Sequence, residues 1–133
     1  MKRLLALSFV VLLVVAGCAP WVTPPPTPTP PTPPPQPSMT VTGQLCKDVN
    51  LSTGCDVGES GLAGVTVTIA VGTTTWTGVT NASGFYTFSN VTGAGSVRAP
   101  RQVDGWNLAS VDWVGFVFQP NTTAILHFAY QQI

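Results

Sequence analysis

The chain has 133 residues, of which only 8% are charged, and five Lys and Arg balance five Asp and Glu. That balance offers neither a basic field for nucleic acid nor a broad acidic field for cations. Thirteen Pro and thirteen Gly against a single His argue against a long helical bundle, and they leave little material for the acid–base chemistry of a self-contained enzyme.

The average hides three segments. Residues 1–17 open with Lys2 and Arg3 and continue as an apolar run from Leu4 to Gly17. The run is too short for the ~20 residues that cross a hydrocarbon core, and it suits the apolar region of a signal peptide. Val15-Ala16-Gly17-Cys18 resembles a bacterial lipobox, in which the cysteine becomes the lipidated first residue of the mature protein. A secretory signal with a coincidental cysteine is the alternative. The small residues before Cys18 and the tether after it favour lipidation, which would anchor the chain without a transmembrane helix.

Residues 18–38 read as the lipidated cysteine plus a linker, with eleven prolines in residues 20–37. Proline fixes φ and lacks an N–H, so this stretch is expected to populate polyproline II and act as a semi-rigid spacer. At ~3.1 Å per residue it would hold a domain about 55–60 Å from the membrane.

Residues 39–133 remain for a folded domain of about the size that supports one core. Val41, Gly43 and Leu45 alternate with Thr40, Thr42 and Gln44, and Val65, Val67, Ile69 and Val71 alternate with Thr66, Thr68 and Ala70. This is the period of two that marks strands. Residues 73–80 form another strand, and Asn81-Ala82-Ser83-Gly84 supplies a turn before Phe85-Tyr86-Thr87-Phe88. Residues 96–99, 111–118 and 123–130 complete about seven strands, with no sustained helical period. An all-β sandwich or small barrel is expected.

Gly61-Leu62-Ala63-Gly64-Val65-Thr66-Val67, followed by Thr80-Asn81-Ala82-Ser83-Gly84-Phe85-Tyr86-Thr87-Phe88, resembles the prealbumin-like module of two groups. These are the carboxypeptidase regulatory-like domain and the B-type repeat of serine–aspartate-repeat adhesins. The resemblance implies a seven-stranded Greek-key sandwich that is not an enzyme but spaces, displays, or binds proteins and glycans. Gly64 and Gly84 would occupy conformations open mainly to glycine. Tyr86 and Phe88 would face the core and Phe85 the solvent.

Three of the five acids left after removal of the leader fall between Asp48 and Glu59. Asp48, Asn50, Ser52, Gly54, Asp56 and Glu59 stand at positions 1, 3, 5, 7, 9 and 12 of an EF-hand-like calcium loop. The B-type repeats have an acidic loop of similar length in this place. Thr53 replaces the turn glycine and Ser52 replaces a carboxylate, and a loop whose polar groups cap their own backbone is the competing reading. Calcium is thus a candidate cofactor that the fold does not require.

Cys46 and Cys55 bracket the same loop. In the oxidising compartment that a lipoprotein faces they are expected to form a disulfide. Closing so short a loop would stabilise the fold by about 2–3 kcal/mol. Zinc is excluded for want of partners, since His127 is the only His.

Two further features complete the inventory. Lys47 finds no Asn or Asp in residues 125–130 with which to form the isopeptide bond of collagen-adhesin repeats. His127 alternates against Leu126 and Phe128, is expected to face solvent, and has no paired nucleophile.

Three functions follow, in order of preference. The first is a non-catalytic lipoprotein, exported and membrane-anchored at the cell surface or facing the periplasm, that displays a module to a protein or surface polymer. The second is a carbohydrate-binding module stacking sugars on Trp76, Trp106 and Trp113, which needs those rings exposed on one face. The third, a transthyretin-like hydrolase, needs clustered His and Arg that the sequence lacks.

Overall fold

The protein is described by a computed structural model covering residues 21–132. The leader, residues 1–17, and Cys18 lie outside the described residues. The chain divides into two units, Met1–Pro33 and Pro34–Ile133. In the first, the described residues form no helix or strand and are exposed, as the proline content requires.

The second unit is built from ten strands: β1 (Met39–Lys47), β2 (Thr66–Val71), β3 (Thr74–Val79), β4 (Phe85–Val91), β5 (Gly95–Arg98), β6 (Gln102–Val103), β7 (Trp106–Leu108), β8 (Trp113–Phe116), β9 (Thr123–Ile125) and β10 (Phe128–Gln132). One sheet runs β4-β1-β10-β7-β6, with β9 also on β1, and the other runs β3-β2-β5-β8. The chain changes sheet repeatedly, and β1 pairs with β4, β9 and β10 rather than with its neighbour β2.

The alternating pattern has its expected consequence. Met39, Val41 and Leu45 from one sheet and Val67, Ile69 and Val97 from the other are buried together with Tyr86, Phe128 and Tyr130. Phe88 packs against this core and Phe85 is exposed. The two buried phenols find acceptors: Tyr86 donates to the Leu126 carbonyl and Tyr130 to the Pro100 carbonyl, both at 2.6 Å. Burial raises the pKa of each phenol, so both remain donors.

The structure differs from the sequence expectation in two places. Seven strands become ten, first because β6 and β7 form an additional hairpin. Its turn is Asp104-Gly105, with φ of 46° and 82°, the paired positive values of a tight hairpin turn. Second, residues 123–130 split into β9 and β10. Both run parallel to β1 in one continuous register, but between them the ladder lifts off. There the Gln44 N–H is taken instead by His127 Nδ1 at 3.0 Å.

The lift-off has a steric counterpart at Gly43. A Cβ on this residue would collide with the Leu126 carbonyl and come within 2.6 Å of the Tyr86 hydroxyl. Gly84, at φ 79°, is excluded from carrying a side chain by its conformation and by the Leu45 carbonyl. Gly43→Ala is therefore expected to cost about 3 kcal/mol or more and to lower the melting temperature by at least about 10 °C. Thermal unfolding followed by circular dichroism measures this. A fall of only a degree or two would show that the β1–Leu126 approach is not tight.

Candidate functional site

The acidic loop leaves the end of β1 and returns at Gly61, which bridges to Cys46. Two devices fix it. Cys46 and Cys55 form a disulfide, with their Cα atoms 5.6 Å apart. Asp48, a residue only 1% exposed, is the second device.

Asp48 Oδ1 accepts the Ser52 N–H at 3.0 Å. Its Oδ2 accepts the Thr53 N–H at 2.8 Å and Gln131 Nε2 from β10 at 2.9 Å. The Asp48 N–H in turn donates to the Tyr130 carbonyl. One buried side chain thus shapes the loop and ties it to the last strand. Desolvation pushes this carboxyl's pKa up. The hydrogen bonds from Gln131 and from the amides of Thr53, Ser52 and Leu51 outweigh that effect and hold it below the ordinary value.

Asn50, Ser52 and Asp56, though exposed, also bond within the loop. Asp56 Oδ2 accepts the Ser52 hydroxyl at 2.6 Å and Asn50 Nδ2 at 2.9 Å. These bonds lower its pKa against desolvation and the like charge of Asp48. Glu59 divides its oxygens, Oε1 taking the Val49 N–H and Oε2 the Asp56 N–H.

A calcium cage needs these oxygens to converge on one point, with the last carboxylate bidentate. Here each is aimed at an N–H or O–H donor, and among the described residues no three His, Cys, Asp or Glu side chains gather as a metal site. As arranged, the carboxylate oxygens are taken up by the loop's own donors and by Gln131. Thr53 makes the turn that glycine would make, at φ 66°, with Leu51 at φ 62°. Left-handed conformations of this kind are costly for such residues, and the disulfide and Asp48 enforce them.

The three tryptophans are separated. Trp76 sits on edge strand β3 opposite Ile69. Its ring, 43% exposed, borders a cleft of about 230 Å³ beside Phe88 and Asn90. Trp113 lies on β8 opposite the exposed Arg98, on the outer face, and is 52% exposed. Trp106 belongs to the other sheet, with the Lys47 ammonium 5.4 Å from its ring centre. They share no face, so the three-ring platform expected for stacking sugars is not assembled. His127 is exposed, and its Nδ1 is occupied by the Gln44 amide.

Sequence reasoning missed Gln131 as the partner of Asp48. The two are 83 positions apart, and only the parallel pairing of β1 with β10 brings them together.

No protein-family model matches the chain, and no curated protein matches it. Among solved structures the fold is similar to the TIE protein of Bacillus anthracis, with TM-score 0.57 and 13% identity over 73% of this chain and 17% of that one. It is similar to GBS52, the minor pilin of Streptococcus agalactiae, with TM-score 0.57 and 12% identity over 74% and 46%. It is also similar to the full-length major pilin SpaD of Corynebacterium diphtheriae, with TM-score 0.56 and 17% identity over 73% and 32%. The chain spans less than half the length of each. The likeness is one of fold, and it agrees with a prealbumin-like sandwich.

The loop chemistry has measurable consequences. Asp48 and Asp56 have folded pKa values below their ordinary ones, so their contribution to stability is whole above about pH 4 and is lost as the pH falls through the folded values. The melting temperature is expected to hold between pH 7 and 5 and to fall below about pH 4. Asp48→Asn should lower it at neutral pH and flatten the acid limb. An unchanged acid limb in that variant would remove Asp48 from the account.

Reductant is expected to lower the melting temperature by about 10–20 °C, whereas calcium or chelator should leave it unchanged. A rise with calcium that Glu59→Gln abolishes would show that the loop rearranges into a cage.

Proposed function

We propose that this chain is an exported lipoprotein, anchored through Cys18, that carries a non-catalytic β-sandwich on a proline-rich stalk for structural spacing or protein binding at a surface. The observation that carries the reading is the Cys46–Cys55 disulfide, a bond that persists in oxidising compartments and is rare in the cytosol. It supports export independently of the leader sequence.

The order of segments supports the rest. An apolar leader of residues 1–17 followed by Cys18, a linker with eleven prolines in residues 20–37, and a disulfide-stapled domain make an anchor, a spacer and a displayed module. Pilins among the structures of similar fold are in keeping with such a role. Low charge, loop carboxylates taken up by the loop's own amides and side chains and by Gln131, and a His held by an amide favour display over catalysis. The finer kinship, to carboxypeptidase regulatory-like domains or B-type adhesin repeats, rests on the Gly61–Phe88 motifs.

Cys18→Ser tests the anchor. The variant is expected to leave the detergent phase and appear in the soluble fraction or the medium, or to accumulate as unprocessed precursor. Detergent partitioning and immunoblotting of cell fractions measure it. A processed Cys18→Ser protein that still fractionates with membranes would refute lipid anchoring.

A further inference from the structure

The two sheets leave a groove between two strands whose backbones are unpaired on the facing side. β8 is the outer strand of its sheet and β9 pairs only with β1. The hydrogen-bond phase identifies the free groups. Ala99 N–H donates to the Asp112 carbonyl, and antiparallel pairs alternate from there. Val114 and Phe116 therefore bond to Val97 and Gly95 of β5, and the amides of Trp113 and Gly115 point outward.

On β9, the Thr40 N–H donates to the Thr122 carbonyl and the Leu126 N–H to the Thr42 carbonyl. The backbone of Ala124 accordingly faces β1, while that of Thr123 and Ile125 faces away. Gly115, Thr123 and Ile125 all border one groove of about 550 Å³.

Two further observations describe what would fill it. The strand pattern read from the sequence runs to Phe118, yet β8 stops at Phe116, because its partner strand begins at Gly95. Val117 and Ile125, 69% and 63% exposed, are bordering β-branched residues left in solvent. Among the described residues no charged one lines the groove, and the buried Met39 lies inside it. Unpaired main-chain groups on both walls select another extended main chain, and the uncharged lining selects uncharged side chains.

We infer that this groove binds an extended, uncharged, proline-free segment of a partner protein, which adds as a strand along β8. The chain's own linker cannot serve, since its prolines lack the donors a ladder needs. The inference deepens the display reading by naming what the domain holds.

The test uses the full chain in mild detergent against a phage-displayed library of linear dodecapeptides, followed by affinity measurement on an enriched synthetic peptide. Enrichment of proline-free, uncharged sequences with alternating β-branched residues is expected. Binding should weaken at least about tenfold in Gly115→Pro, which removes an outward N–H without breaking a β5 bond, and likewise when alternate peptide amides are N-methylated. Thr123→Pro probes the opposite wall should Gly115→Pro fold poorly.

No enrichment, enrichment of charged or proline-rich sequences, or affinities indifferent to both changes would overturn the inference. So would a dimer of the chain abolished by Gly115→Pro, which would make a second copy the occupant. Failure of membrane anchoring leaves these results untouched and refutes only the anchoring.

Discussion

β1 is hydrogen-bonded along both edges, to β4 on one side and to β9 and then β10 on the other. That double pairing is the constraint from which the rest of the domain follows. It leaves no room beside Gly43 for a side chain, and the closing strand leaves the ladder after the Leu126 N–H, the Leu126 carbonyl accepting the Tyr86 hydroxyl and His127 Nδ1 taking the Gln44 N–H. It brings the end of β1 against the last strand, where the Asp48 N–H meets the Tyr130 carbonyl and its carboxylate meets Gln131. The acidic loop departs from a fixed platform, the disulfide ties its middle at Cys55 to Cys46 of β1, and the Gly61 bridge to Cys46 holds its far end. A loop with two left-handed non-glycine residues keeps one shape because both ends are held.

The strand pattern was legible because one face of each long strand is buried. Met39 to Leu45 and Val65 to Val71 alternate in sequence and in burial alike. The Asn81–Gly84 turn was legible because its chemistry is local: Asn81 Oδ1 accepts the amides of Ser83 and Phe85, and Gly84 takes φ 79°. The β6–β7 hairpin had an equally local signal in Asp104-Gly105, but its strands are too short to show a period. The break between β9 and β10 had no such signal, since its cause is the approach of Gly43 across the sheet.

The candidate site was legible by composition and not by geometry. The spacing of Asp48, Asn50, Ser52, Asp56 and Glu59 suits either a metal cage or a self-capped loop, because both use oxygens at alternate positions. What separates them is where the oxygens point, and that depends on Gln131 and on the disulfide. The tryptophans show the same limit. Sequence spacing cannot tell that Trp76 lies on an inner edge, Trp113 on an outer face and Trp106 in the other sheet.

The central claim is an exported domain, anchored at its first mature residue and stapled by its remaining cysteines. Intact mass of the protein extracted from membranes under a thiol-alkylating quench tests it most directly. The account expects a chain beginning at Cys18, heavier by its acyl groups, with neither Cys46 nor Cys55 alkylated. A chain still beginning at Met1, with all three cysteines alkylated, would contradict both the anchor and the staple.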